Sequence, residues 1–287
     1  MVLIKVGLFI PTYNAGENFG KILDNIDLSI RDSKLDVKKI IIDTFSTDRT
    51  SQIAINHGFD VYKIHKRDFT HGEVRRRAVE YLNDCEYIIF MTQDVVLHRT
   101  SIEEIVRLIV GHKNMVVAYG KQEPDRLKAD ILEQQSRRFN YPDTSYIKTK
   151  KDIPNLGIKT VFSSDAFSIY RRNLLIKVGS FPAAIKYCED MYVAAKAIEH
   201  GYEVGYCASS VVTHSNKMNL KQQFSRYKSI GEFHRQNPWI QKEFGSNESE
   251  GIRLIFSEWK FLIKKNKAYL IPYSIFMKMV KFVAYKA

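Results

Sequence analysis

The 287-residue chain has only three cysteines, Cys85, Cys188 and Cys207, an odd number at wide spacing. They make neither a zinc signature nor a disulfide framework, and they predict a reducing compartment. The longest apolar run, around Tyr269 to Met277, falls far short of the roughly 20 residues that a spanning helix needs. A strand-like run from Val2 to Ile10 occupies the place of a signal peptide, so a cytoplasmic location is expected. Glycine is scarce where a phosphate loop would need it, with only Gly16 and Gly20 after the first strand. That argues against a sugar-nucleotide-forming nucleotidyltransferase and against a dinucleotide-dependent dehydrogenase. Internal repeats and low-complexity segments are absent too.

Acids are nearly missing from the C-terminus. From Gly251 to Ala287 there are eight basic residues and a single acid, Glu258, which supplies seven of the twelve excess positive charges. Such a local excess points to an anionic partner, whether phospholipid, lipid phosphate or nucleic acid.

What is present is an alternation of strand and helix signals. Val6–Ile10, Ile40–Ile42, Phe59–Ile64, Tyr87–Met91 and Met115–Tyr119 read as strands. Helical spacing recurs in Phe19, Ile22, Leu23, Ile26 and Ile30, in a short stretch from Ser51 to His57, and from Glu73 to Leu82. Ser101 with Glu104 predicts a capping box for the next helix. Residues 121–160 read as insertions and short helices. A strand over Ala166–Tyr170, a helix from Glu189 to His200, and two short strands at Val204–Tyr206 and Val211–Thr213 follow. The pattern predicts an α/β fold with a mostly parallel sheet covered on both faces. In such sheets ligands bind at the carboxyl ends of the strands, where Tyr13-Asn14, Asp43 and Asp94 fall.

Each of these side chains has two readings. Asp94 either holds a divalent cation against a diphosphate or caps the next turn. Asp43 can accept a pyrimidine ring N–H, while Ser46 or Thr47 either joins it or only caps the following helix. Asp190 either deprotonates an acceptor hydroxyl or serves with Glu189 as a favourable charge in a first helical turn. His214 follows another strand end. Asp68, His71, Gly72 and Arg75-Arg76-Arg77 crowd a helix start that either suits diphosphate or forms a solvated basic face, with one or two of the arginines expected to be functional.

These pieces, in this order, resemble glycosyltransferase family 2, the inverting enzymes of the GT-A fold. The resemblance spans about Val6 to His214. It rests on Pro11-Thr12-Tyr13-Asn14, on Asp43-Thr44-Phe45-Ser46-Thr47-Asp48, on Thr92-Gln93-Asp94, on Glu189-Asp190 and on His214. Within that family the chain is similar to bacterial rhamnosyltransferases of surface-polysaccharide assembly. The marks of that group are Asp68-Phe69-Thr70-His71-Gly72 before Arg75, Tyr119-Gly120-Lys121-Gln122, Phe139-Asn140-Tyr141-Pro142, and Phe162-Ser163-Ser164 before a strand ending in Arg171-Arg172.

The resemblance implies that Pro11, Thr12, Tyr13, Asp43, Ser46, His71, Gly72, Arg75, Gln93 and Glu189 bind substrate. It implies that Asp94 and His214 hold Mg2+ or Mn2+, and that Asp190 is the catalytic base. The expected donor is dTDP-β-L-rhamnose and the expected acceptor a lipid-linked saccharide, with no role for nucleic acid. Another nucleotide sugar, or a non-enzymatic module binding an anionic membrane, is the alternative. Two departures stand out. Thr92 occupies the first position of the usual Asp-x-Asp, and Arg76 stands where relatives carry Asn.

The division expected is a catalytic domain over 1–216 and a helical appendage over 217–287. In the appendage Arg253, Ser257, Lys260 and Lys264 form one polar stripe, and Ser274, Lys278 and Lys281 another, each opposite a broad apolar face. Pro272 is expected to start the second helix. Such helices suit the plane of an anionic membrane, here its cytoplasmic surface, with lysines at the headgroups. Packing on the catalytic domain, or on a second copy of the chain, is the alternative.

Overall fold

The computed structural model describes residues 4–31, 33–125, 129–215 and 218–287, leaving aside the side chains of 247–249. Val2 and Leu3, and the 216/217 division, lie outside the described residues. In chain order the elements are β1 (Ile4–Thr12), α1 (Phe19–Arg31), β2 (Leu35–Asp43), α2 (Thr50–Asn56), β3 (Asp60–Lys63), α3 (His71–Tyr81) and β4 (Tyr87–Met91). Then come β5 (Val95–Leu97), α4 (Ser101–Gly111), β6 (Met115–Glu123), α5 (Ile131–Asn140), β7 (Tyr146–Lys148), α6 (Ile153–Leu156), β8 (Phe167–Arg171) and α7 (Arg172–Lys177). The last are α8 (Glu189–Glu199), β9 (Glu203–His214), α9 (Leu220–Gln236), α10 (Pro238–Phe244), α11 (Asn247–Lys264) and α12 (Ile271–Lys286).

The sheet runs β3-β2-β1-β4-β8-β6-β9-β5, with β7 paired to β9. Six of the nine strands share one direction; β5, β7 and β8 oppose it. The central strands are apolar at successive positions because both sheet faces are covered. Phe9, Ile88 and Phe90 join one core with Val74, Leu175 and Val193 of α3, α7 and α8. Leu8, Ile89 and Met91 join another with Leu23 of α1 and Ile105 of α4. Gly7 is required between them, since a Cβ there would lie 2.6 Å from Leu82.

Two local expectations are corrected. Ser101 is no cap: it is the first helical residue of α4, and its hydroxyl donates to the carbonyls of His98 and Val211. The two short strands are one, β9, whose pairing with β6 shifts register between Gly120 and Lys121. A turn-like Ala208-Ser209 therefore marks an irregularity inside a strand, not a break.

The C-terminal helices differ most from expectation. The two polar stripes do not simply face outward. Ser257 accepts from Gln135 of α5 at 2.8 Å, and Ser274 is buried against Glu258. Glu258 is itself fully buried and also takes Lys278 Nζ at 2.8 Å. α12 is pressed onto α9 where Gly231 leaves room: a Cβ there would be 1.9 Å from the Tyr285 carbonyl. Arg235 donates to that carbonyl at 3.0 Å. Polar partners thus hold Glu258, Ser274 and Lys278 between the two helices, and much of the apolar surface is left to solvent. Ten large apolar side chains of α11, α12 and their connection are 40% to 73% exposed, among them Phe256, Ile263, Tyr269, Phe276, Met279 and Phe282. Among the described residues no helix is long and apolar enough to cross a membrane.

Candidate active site

The loops after β1 and β2 are laced together at one edge of the sheet. Asp43 is fully buried, and its carboxylate accepts from Thr12 Oγ1 at 2.9 Å, from the Ser46 N–H at 2.9 Å and from the Ser46 hydroxyl. Ser46 Oγ also accepts from the Asn14 N–H at 2.8 Å, and Asn14 Oδ1 accepts from the Thr47 N–H at 2.8 Å. Ser46 and Thr47 therefore tie the two loops together and do not cap α2, whose first N–H, that of Thr50, is taken by Asp48 at 3.0 Å. Pro11 is the penultimate residue of β1. Tyr13 is held through its backbone, with its N–H on Gln93 Oε1 at 2.8 Å and its carbonyl taking Gln93 Nε2 at 3.2 Å. The rings left free to meet a ligand are Tyr13 and Phe45, 47% and 45% exposed. Phe45 has a left-handed backbone (φ 51°) and stacks on His65 at 4.5 Å. Such a flat aromatic wall suits a nucleobase. Neither Phe45 nor His65 was singled out from the sequence.

Asp94, between β4 and β5, meets His214 at the end of β9, with Oδ2 and Nε2 3.3 Å apart. Gln122 Oε1 faces His214 Nδ1 at 2.9 Å and also accepts from Arg137, while its Nε2 donates to Ser164 at 2.7 Å. An amide oxygen only accepts, so Nδ1 carries a proton, and Nε2 is the ring nitrogen that faces Asp94. A longer approach of Arg137 Nη2 to Nδ1, 3.5 Å, is the weaker contact. An oriented imidazole beside a carboxylate is a fit donor pair for a divalent cation. Burial works to raise the Asp94 pKa, but the His214 hydrogen bond and charge outweigh it, and the net shift is downward. Among the described residues no third His, Cys, Asp or Glu joins them. Thr92 adds no carboxylate, and further ligands would have to come from diphosphate and water.

The third cluster is buried and charged. Of the three consecutive arginines only Arg75 turns inward. Arg76 and Arg77 pair with Glu73 on the outer face, and Arg76 also with Glu80. Arg76 is thus a surface residue. Arg75 Nε donates to Asp165 at 2.7 Å, and Nη1 reaches Glu189 at 3.0 Å and His71 Nδ1 at 3.3 Å. Burial, with Arg75 and Arg226, pushes the His71 pKa down to about 3, so its ring is neutral. Gly72 is required sterically, because a Cβ would lie 2.0 Å from the Pro182 carbonyl, and its N–H donates to Ile185 at 2.9 Å.

Glu189 and Asp190 open α8 after Cys188, whose backbone is left-handed (φ 66°). Asp190 is partly exposed, and its carboxylate accepts from the Met191 N–H at 2.7 Å and the Asp165 N–H at 3.3 Å. Asp165 and Glu189 pair with the Arg75 guanidinium, and Asp190 lies within reach of its charge. Burial and this crowding raise the pKa values of both Glu189 and Asp190, Arg75 opposing. A carboxylate of raised basicity on a half-buried residue can take a proton from a bound hydroxyl.

Asp165 escaped the sequence reading for a topological reason. β8 runs antiparallel to β4 and β6, so its start, not its end, lies at the edge where the parallel strands finish. A search for acids at strand ends passes over it.

The family model for glycosyl transferase family 2 matches residues 8–179. Over 99% of its length the chain is 39% identical to the O-antigen chain rhamnosyltransferase RfbN of Salmonella typhimurium, covering 89% of that protein. Over 97% it is 38% identical to the O-antigen chain rhamnosyltransferase WbaN of Salmonella anatum, covering 87%. A mannosyltransferase from Pyrobaculum calidifontis, solved with GDP-Man and Mn2+, superposes with a TM-score of 0.66 at 15% identity, over 99% of this chain and 86% of that one. This chain belongs to glycosyltransferase family 2. It is an enzyme of the GT-A fold, a glycosyltransferase.

Proposed function

We propose that the protein transfers L-rhamnose from dTDP-β-L-rhamnose, with inversion, to a lipid-linked saccharide in the assembly of a bacterial surface polysaccharide. The sugar is suggested by the near-full-length likeness to two O-antigen rhamnosyltransferases. The observation that carries the chemistry is the Asp190 carboxylate, on a half-buried residue, held by the Asp165 and Met191 N–H groups in a cluster that raises its basicity.

In this reading Thr12, Tyr13, Asp43 and Ser46 seat the pyrimidine against the Phe45–His65 wall, with Pro11 and Gln93 shaping the turn. His71, Gly72, Arg75 and Glu189 form the floor beneath the sugar. Asp94 and His214 would hold Mg2+ or Mn2+, which when bound supplies positive charge to the leaving diphosphate. Asp190 takes the proton of the acceptor hydroxyl. The hydroxyl oxygen bonds to the anomeric carbon on the face opposite the diphosphate, the anomeric C–O bond breaks, and dTDP leaves with the bonding pair. One displacement converts a β donor into an α-rhamnoside.

The hairpin α11–α12 suggests where the enzyme works. Water at its exposed apolar side chains forgoes about 1.5–3 kcal/mol for each one that could be fully buried. The only acid from 251 to 287, Glu258, is buried and paired, so no side-chain carboxylate of this segment faces out. An apolar, cationic surface fits the headgroup region of an anionic bilayer on the cytoplasmic side. A second copy would set like charges against one another.

The test is to incubate the protein with dTDP-β-L-rhamnose, a divalent cation and a polyprenyl-diphosphate-linked saccharide. Release of dTDP with an α-linked rhamnose on the acceptor supports the reading. A β-linkage, or no transfer from this donor while another is consumed, overturns it.

A further inference from the structure

We infer that Asp165 is a positioning residue for the transfer reaction: it holds Asp190 through its own backbone N–H and sets a fixed negative charge beside it. The inference rests on the reading of Asp190 as the base and adds a residue to that machinery.

Asp165 is 2% exposed, yet fully partnered. Oδ2 accepts from Arg75 Nε at 2.7 Å, and Oδ1 from Ser168 Oγ and Tyr170 OH, each at 2.7 Å. Three donors on one carboxylate, one of them cationic, hold it in a single orientation. Ser168 and Tyr170 both belong to β8, whose neighbours β4 and β6 fix it in the middle of the sheet. The main-chain N–H of the same residue, 3.3 Å from Asp190 Oδ2, is therefore mounted on rigid structure.

The charge matters as much as the hydrogen bond. Arg75 is buried close to Asp190, and a lone guanidinium there would hold Asp190 ionised but weakly basic. Asp165 and Glu189 divide that charge between them. The other titratable groups facing Asp190 are Tyr170 of β8, Tyr141 after α5 and Cys188 before α8. Burial with neighbouring carboxylates or rings raises the pKa of all three, so they stay neutral. Arg226 of α9 acts on Cys188 and on neutral His71. Among the described groups the strong opposing charges on Asp190 are thus Asp165 and Arg75, after burial itself.

A merely structural Asp165 would balance Arg75 and leave the titration of Asp190 alone. The experiment reads that titration directly in the full chain, without substrate. The protonated-carboxyl infrared band of Asp190, identified by its loss in Asp190→Asn, is followed against pH in the wild type and in Asp165→Asn. Asp165→Asn is expected to lower the midpoint by about one pH unit or more, and the acidic limb of donor turnover should move down with it. Tyr170→Phe, which keeps every charge, should leave the midpoint near wild type. Should Asp165→Asn fail to fold, Asp165→Ser carries the same expectation. A midpoint that stays or rises, or one that Tyr170→Phe moves equally, overturns the inference. Inactive Asp190→Asn with an unmoved midpoint sinks only the role of Asp165. Full turnover in Asp190→Asn sinks the base reading itself.

Discussion

His214 Nε2 faces Asp94 Oδ2 across 3.3 Å, and Gln122 holds the opposite ring nitrogen as a donor. The two side chains come from β9 and from the turn between β4 and β5, and the antiparallel pairing of Val95 with His214 brings them together. One carboxylate and one imidazole make a weak metal site until diphosphate adds its oxygens. Metal and nucleotide should therefore bind together. Isothermal titration should find Mn2+ binding weak alone and strengthened at least about tenfold by dTDP, an effect of about 1.4 kcal/mol. His214→Ala should abolish the enhancement, and chelator-insensitive turnover would contradict the site.

Asp190→Asn should lower turnover by about a hundred- to ten-thousand-fold, the usual contribution of a general base. Donor affinity should change little, because the carboxylate is assigned to the acceptor side. A base works when deprotonated, and burial and Asp165 raise the pKa of Asp190. Activity should accordingly be present above that raised pKa and fall as pH drops through it. The acidic limb of kcat/KM should lie well above the ordinary Asp value of about 3.9. A limb at the ordinary value would exclude Asp190 as the group observed.

Gly72→Ala should destabilise the protein by about 1–3 kcal/mol, since the added methyl meets the Pro182 carbonyl. The shift of the α3 start would also displace His71 and Arg75. Thermal unfolding should register a lower Tm and the transfer assay a lower kcat. An unchanged Tm would mean that the turn at Pro182–Ile185 yields freely.

Phe276→Glu combined with Met279→Glu should cut binding to anionic vesicles by about tenfold or more, because both side chains lie on the exposed apolar face. Tm should hold, as neither is buried. Co-sedimentation with phosphatidylglycerol vesicles, against phosphatidylcholine vesicles, reads the effect. Unchanged vesicle binding, or a wild-type dimer that the double variant splits, would assign the face to another partner.

The parallel half of the sheet was legible because its strands finish in polar residues at one edge, which is how Asp43, Asp94 and His214 were found. Asp165 was not, since strand direction is a long-range property that local pattern does not carry. That three adjacent arginines cannot share one helix face was legible too, though which of them turns inward was not. The C-terminal hairpin misled a reading by periodicity. Its amphipathic stripes are real, but one buried acid, Glu258, bonds Ser274 and Lys278 and draws the polar side inward. A hydrogen-bonded pair across two helices leaves no periodic trace.

The central claim is the donor. Thermal unfolding of the purified protein with Mg2+ and a panel of nucleotide sugars tests it most directly. At a hundredfold excess over Kd a bound donor adds about 2.7 kcal/mol, enough to rank the panel. dTDP-β-L-rhamnose is predicted to raise Tm most, and Phe45→Ala to remove most of that rise. Stabilisation by a uridine or guanosine diphosphate sugar, with none from dTDP-β-L-rhamnose, would contradict the account.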